Sequence, residues 1–119
     1  TSPYAKAKHM SELALQEEYE TRQFKGSALR LFNVYGEGQR SEGGYLSAVP
    51  VFLKQYEAFA PITVTGDGKQ TRDFVYVEDV VSACISAYTD TVENGVQILN
   101  VASGQETSIM DLAEALAEK

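Results

Sequence analysis

The chain has 119 residues, enough for one small domain with a core that holds unaided. Its hydrophobic content of 44% and charged content of 23% are those of a soluble globular protein. A net charge of −7 argues against a nucleic-acid or anionic-membrane partner, no apolar run reaches the length of a membrane span, and a single cysteine excludes an internal disulfide and fits a reducing cytoplasm.

Ser2 and Pro3 open a helix: serine as N-cap, proline with its fixed φ in the first turn. The helical pattern runs to about Gln23, and Gly26 breaks it. Ser27 to Val34 is short, apolar and bounded by glycines, which reads as a buried strand. Tyr35 to Gly44 is a glycine-rich loop, and a second helix runs from about Leu46 to Tyr56. Pro61 to Thr65 alternates and is β-branched, as a short strand is.

Gly66 to Lys69 forms a turn, and Arg72 to Val77 a further extended run. Glu78 to Tyr88 is a third helix, with Val80, Val81, Cys84, Ile85 and Tyr88 as its apolar stripe, so Cys84 is expected in the core. Asn94-Gly95 is a turn, and Gln97 to Ala102 a fourth strand. Thr107 or Ser108 caps a last helix, Ser108 and Asp111 standing at capping-box spacing, with Ile109, Leu112, Ala113 and Leu116 facing inward. The order α, β, α, β, β, α, β, α predicts an α/β fold with a largely parallel sheet.

Tyr4 and Lys8 are four residues apart on the first helix and share a face. That spacing has a chemical use. Phenols are poor bases at neutral pH, and an ammonium group close by favours the phenolate, which can then take a proton from a hydroxyl. Lys6 and His9 are expected to face solvent. Read from the residues alone, Phe32 fits the core, Asn33 a strand-end backbone cap, Arg72 an ion pair with Asp73, and Arg40 an exposed loop charge. Asp67-Gly68 reads as a structural turn and Asp79 as a helix cap. Nothing forms a metal-ligand pattern.

Four segments carry a resemblance: TSPYAKAK at the start, LRLFNVYGEGQR from Leu29, GDGKQTRDFVYVEDVV from Gly66 and LNVASGQETSI from Leu99. In this order and spacing they resemble the extended short-chain dehydrogenase/reductases, the NAD-dependent epimerase/dehydratase family. The resemblance implies the C-terminal part of a Rossmann-like doubly wound sheet plus part of a small substrate-binding subdomain. It assigns about 1–35 and 77–102 to the first and about 36–76 and 103–119 to the second. It implies NAD as cofactor, Tyr4 as base, Lys8 as its partner and as a ligand of the nicotinamide ribose, and Phe32 as a residue bordering the nicotinamide. Asn33 and Arg72 are implied as contacts of the nucleotide-sugar diphosphate, Arg40 as a phosphate or sugar contact, and Val64 as a contact of the base. A homodimer through the Tyr4 helix is implied as well.

The sequence has no G-x-x-G-x-x-G phosphate loop, so the glycine-rich half of the cofactor site is expected upstream and these residues alone are expected to be inactive. The activity implied is UDP-sugar 4-epimerisation through a 4-keto sugar. A nucleotide-sugar 4,6-dehydratase, a decarboxylase or a non-catalytic scaffold of the same fold stands as the alternative. Phe74 and Val80 lean to the epimerases, since dehydratases more often have tryptophan and histidine there.

Overall fold

The computed structural model describes residues 2–40, 43, 47–90 and 95–117. It divides into two compact units. The first comprises Thr1–Arg30 and Val81–Val101, the second Leu31–Val80 and Ala102–Lys119.

In the first unit, helix α1 spans Pro3–Arg22. Ser2 is its N-cap, its hydroxyl oxygen accepting from the Ala5 N–H at 3.2 Å. The helix ends at Gln23, as expected; Gln23 takes the left-handed conformation, its N–H donates to the Tyr19 carbonyl at 2.8 Å, and the Phe24 N–H donates to the Glu18 carbonyl at 3.4 Å. Helix α1 buries no residue fully and packs on the strand Val96–Val101. That strand pairs with β1, Gly26–Leu31.

The expected strand Ser27–Val34 is two strands. A bond from the Val34 N–H to the Phe32 carbonyl at 3.0 Å turns the chain at Phe32. Beyond it, β2 (Asn33–Tyr35) joins a different partner. The expected run Arg72–Val77 divides likewise into β3 (Thr71–Arg72) and β4 (Phe74–Tyr76), with Asp73 between. Strands β2 and β4 are parallel, Asn33 standing opposite Phe74 and Tyr35 opposite Tyr76.

The segment Pro61–Thr65 is not a strand. Its alternation is real: Ile62 and Val64 pack on the core, while Thr63 turns to Gln55. The Thr63 N–H donates to the Gln55 side-chain oxygen at 3.0 Å, so a side chain takes the place of a neighbouring strand. A strand the sequence did not announce, β6 (Thr107–Ser108), pairs antiparallel with β3. The strand Val96–Val101 is then β5 in chain order.

Helix α2 is Ala48–Glu57, and its expected start at Leu46 lies outside the described residues, as does Asn94 of the expected turn. Helix α4, Ile109–Ala117, begins with the expected capping box: the Asp111 N–H donates to the Ser108 hydroxyl at 3.0 Å, and the Ser108 N–H to the Asp111 carboxylate at 3.2 Å. The core of the second unit joins α2 to α4 through Phe52, Ile109 and Ala113.

Helix α3, Val77–Thr89, corrects one expectation. Of its apolar stripe only Val80 is buried; Val81, Cys84, Ile85 and Tyr88 are exposed. The helix is amphipathic as read, but among the described residues no element covers that part of its face, and Cys84 is not a core residue.

Candidate active site

Helix α1 brings Tyr4 and Lys8 together. The Lys8 Nζ lies 5.5 Å from the centroid of the Tyr4 ring, within cation–π range. Both side chains are open to solvent, Tyr4 being 71% exposed. His9 is also exposed, as expected. The helix is tied to β1 by a bidentate ion pair. The Arg30 Nε and Nη2 donate to the two Glu12 carboxylate oxygens, each at 2.7 Å. The hydrogen bond from Arg30 holds the Glu12 carboxyl below the usual carboxylate range, against desolvation that raises it. Nothing local announces this pair.

The other expected site residues belong to the second unit. Phe32 is 44% exposed at the turn between β1 and β2 and is not a core residue. Asn33 is half-buried and binds Asp73 across the strands: its backbone and side-chain N–H groups both donate to the Asp73 carbonyl, at 3.1 and 3.2 Å. Arg72 is exposed, and its guanidinium donates to the Thr71 carbonyl at 2.7 Å rather than pairing with Asp73. The Asp73 carboxylate instead accepts from the Ser103 N–H, the Ser103 hydroxyl and the Gly104 N–H, each at 2.8 Å. Desolvation pushes the Asp73 carboxyl up, but these bonds outweigh it and hold the group below its ordinary value. Val64 packs on the core, and Arg40 is exposed.

The second unit also holds a cleft of about 670 Å³ that the sequence did not reveal. Tyr35, Glu37, Phe74, Tyr76 and Asp79 contribute to its lining, but Asn33, Val64, Arg72 and Arg40 do not. The Tyr76 hydroxyl donates to the Glu37 carboxylate at 2.8 Å. That bond raises the Tyr76 phenol to about 12 and lowers the Glu37 carboxyl. Gly36 sits beneath this pair with φ +147, close against Val77 and Tyr76. Asp79 stands in the first turn of α3, where a carboxylate suits the helix dipole.

The model of the NAD dependent epimerase/dehydratase family matches residues 1–102. The chain belongs to that family. A UDP-N-acetyl-alpha-D-glucosaminuronate decarboxylase of Bacillus cytotoxicus is 41% identical over 86 residues, 72% of this chain and 26% of its own length. A putative UDP-glucose 4-epimerase of Methanocaldococcus jannaschii is 36% identical over 97% of this chain and 36% of its own. The solved structure of the UDP-N-acetylglucosamine 4-epimerase of Methanobrevibacter ruminantium, in complex with UDP-N-acetylmuramic acid, superposes with a TM-score of 0.91 at 32% identity, over 98% of this chain and 37% of that one. The α/β fold is thus that of the Rossmann-like epimerases, and the chain spans about a third of their length. Among the described residues no helix is long and apolar enough to cross a membrane.

Proposed function

We propose that the protein is a nucleotide-sugar epimerase, acting on a UDP-sugar at C4, with Tyr4 as acid–base residue and Lys8 as its partner. The observation that carries this reading is the Lys8 ammonium 5.5 Å from the Tyr4 ring on an open helix face, in a chain whose relatives include enzymes named for UDP-sugars. Tyr4 takes the proton from the sugar hydroxyl as that carbon becomes a ketone, and gives it back when the carbon is reduced on its other face. Lys8 offsets the negative charge on the phenolate and so favours it. The nicotinamide of NAD, when bound, supplies the reversible hydride acceptor this chemistry needs.

The residues present fit the nicotinamide–ribose end of that cofactor: an exposed phenol and an exposed ammonium side by side, both able to bond ribose hydroxyls. Phe32 would border the ring. The pyrophosphate cradle belongs to a glycine-rich loop not present in these residues. We assign the Rossmann-like role to about 1–35 and 77–102 and the substrate-binding role to about 36–76 and 103–119. Asn33, Arg72, Arg40 and Val64 are the substrate contacts, a guanidinium fork suiting phosphate oxygens. Met10 and Leu13, both exposed on α1, support a homodimer through that helix.

The test is Tyr4→Phe in the full-length protein, incubated with UDP-, dTDP- and GDP-sugars. Tyr4 is exposed, so the fold is expected to survive while turnover falls by about 10²–10⁴-fold. Unchanged turnover rejects Tyr4 as base. The decarboxylase relative at 41% identity favours a second reading, a UDP-uronate decarboxylase. Release of carbon dioxide, in place of inversion at C4, would establish it.

A further inference from the structure

Tyr4, Lys8 and Glu12 follow one another at intervals of four residues and form one stripe along α1. Lys8 therefore stands between two groups that attract a cation, the Tyr4 ring on one side and the Glu12 carboxylate on the other. A lysine and a glutamate four apart on a helix attract each other, and although this order is the weaker of the two and falls somewhat short of a cation over an aromatic face, a free carboxylate there competes for the lysine. The positions in reach of Lys8 on the helix are 4, 5, 11 and 12, occupied by Tyr4, Ala5, Ser11 and Glu12, so Glu12 is the one competing carboxylate among them. In the structure the competition is resolved. Both Glu12 oxygens are taken by the Arg30 fork at 2.7 Å, and Lys8 lies over the Tyr4 ring.

We propose that Arg30 is a positioning residue for the Tyr4–Lys8 pair: by occupying both oxygens of Glu12 from strand β1, it keeps that carboxylate from drawing Lys8 away from Tyr4. The inference rests on the reading of Tyr4 and Lys8 as the acid–base pair. The fork geometry suits the task, because a bidentate guanidinium fixes the carboxylate's orientation and offsets its charge at both oxygens, which weakens its pull on a second cation. Burial suits it as well: the Glu12 side chain is 15% exposed, held down towards the strand, whereas that of Arg30 is 53% exposed. The His9 Nδ1 lies 4.0 Å from the same Glu12 oxygen and is a second, titratable neighbour. Strand β5, on which α1 packs, brings no ionisable side chain (VQILNV). Arg30 thus supplies a permanent cation where His9 supplies a conditional one.

The test is a set of three variants of the full-length protein: Arg30→Met, Glu12→Gln, and the two combined. With Arg30→Met the freed Glu12 captures Lys8, and turnover falls roughly twofold to fivefold. Glu12→Gln alone breaks the same ion pair but removes the competitor, so turnover stays within twofold of the parent. The combined variant recovers that level. A purely structural brace predicts the opposite pattern, equal losses in both single variants and no recovery, and that result overturns the proposal. A second readout needs neither substrate nor cofactor: the ring-current shift that Tyr4 imposes on the Lys8 ε-methylene protons, measured by NMR on the full chain. It is expected to collapse in Arg30→Met and to return in the combined variant; an unchanged shift in Arg30→Met overturns the proposal. Should Arg30→Met fail to fold, Arg30→Lys keeps the charge but loses the fork, and must give an intermediate shift. Unchanged turnover in Tyr4→Phe would reject the acid–base reading, while the ring-current result would still decide the role of Arg30.

Discussion

Gly36 offers the sharpest test of the second unit's packing, because two separable costs meet there. At φ +147 its backbone lies where residues with a side chain are strained, by about 1–3 kcal/mol. A Cβ built at Gly36 would also overlap Val77 Cγ1, and would lie 3.0 Å from Val77 Cβ and 3.2 Å from Tyr76 Cε2. Overpacking of that kind costs about 1–3 kcal/mol more. Gly36→Ala is therefore expected to destabilise by roughly 2–6 kcal/mol, a large part of a small domain's stability. Gly38 provides the control. It too has a positive φ, +79, but its Cβ would meet nothing within 4 Å. Gly38→Ala should cost about 1 kcal/mol. The Val77 contact can then be isolated. Val77→Ala removes the overlapping methyl but leaves its Cβ and the Tyr76 ring in place, so Gly36→Ala combined with Val77→Ala should lose less than the two separate losses added, by about 1–2 kcal/mol. Chemical denaturation followed by circular dichroism measures all four variants. If Gly36→Ala costs no more than Gly38→Ala, or if the double variant shows no relief, the packing of this loop against α3 is not as described.

Phe52, only 3% exposed, anchors the core between α2 and α4, and Phe52→Ala should cost about 3–5 kcal/mol in the same assay; a loss below about 1 kcal/mol would contradict that placement. The folded Asp73 carboxyl titrates below its unfolded value, so the stability it contributes is complete above the ordinary aspartate range and is lost as pH falls through the lowered value. The Ser103 and Gly104 amide resonances should report that acid transition, and Asp73→Asn should abolish it. Tyr76 has the opposite sign: raised to about 12, its contribution is intact below about pH 10 and lost as pH rises through about 12. Tyrosinate absorbance should show one late-titrating phenol, absent in Tyr76→Phe and shifted earlier in Glu37→Gln.

The features legible in the sequence are those whose chemistry is local. Ser2 caps α1 and Ser108 caps α4 because an N-cap needs only its own hydroxyl and an N–H three residues on. Tyr4 and Lys8 meet because helical spacing alone brings them together. Legibility failed where a neighbour distant in sequence decides. Ser27–Val34 has one continuous strand pattern, yet it breaks at Phe32 because Asn33 finds its partner 40 residues away, in Asp73. Pro61–Thr65 alternates correctly but lacks a ladder, since Gln55 satisfies Thr63. The stripe of α3 has the right period, but a period states which face is apolar and not whether anything covers it. The same limit applied to the site. The i,i+4 rule identifies Lys8 as a partner for Tyr4 and, with equal force, as a partner for Glu12. Only Arg30, 18 residues from Glu12 and on another element, removes that ambiguity. An acid–base pair read from spacing is thus incomplete until the group that holds its competitor has been found, and here that group is Arg30 on β1.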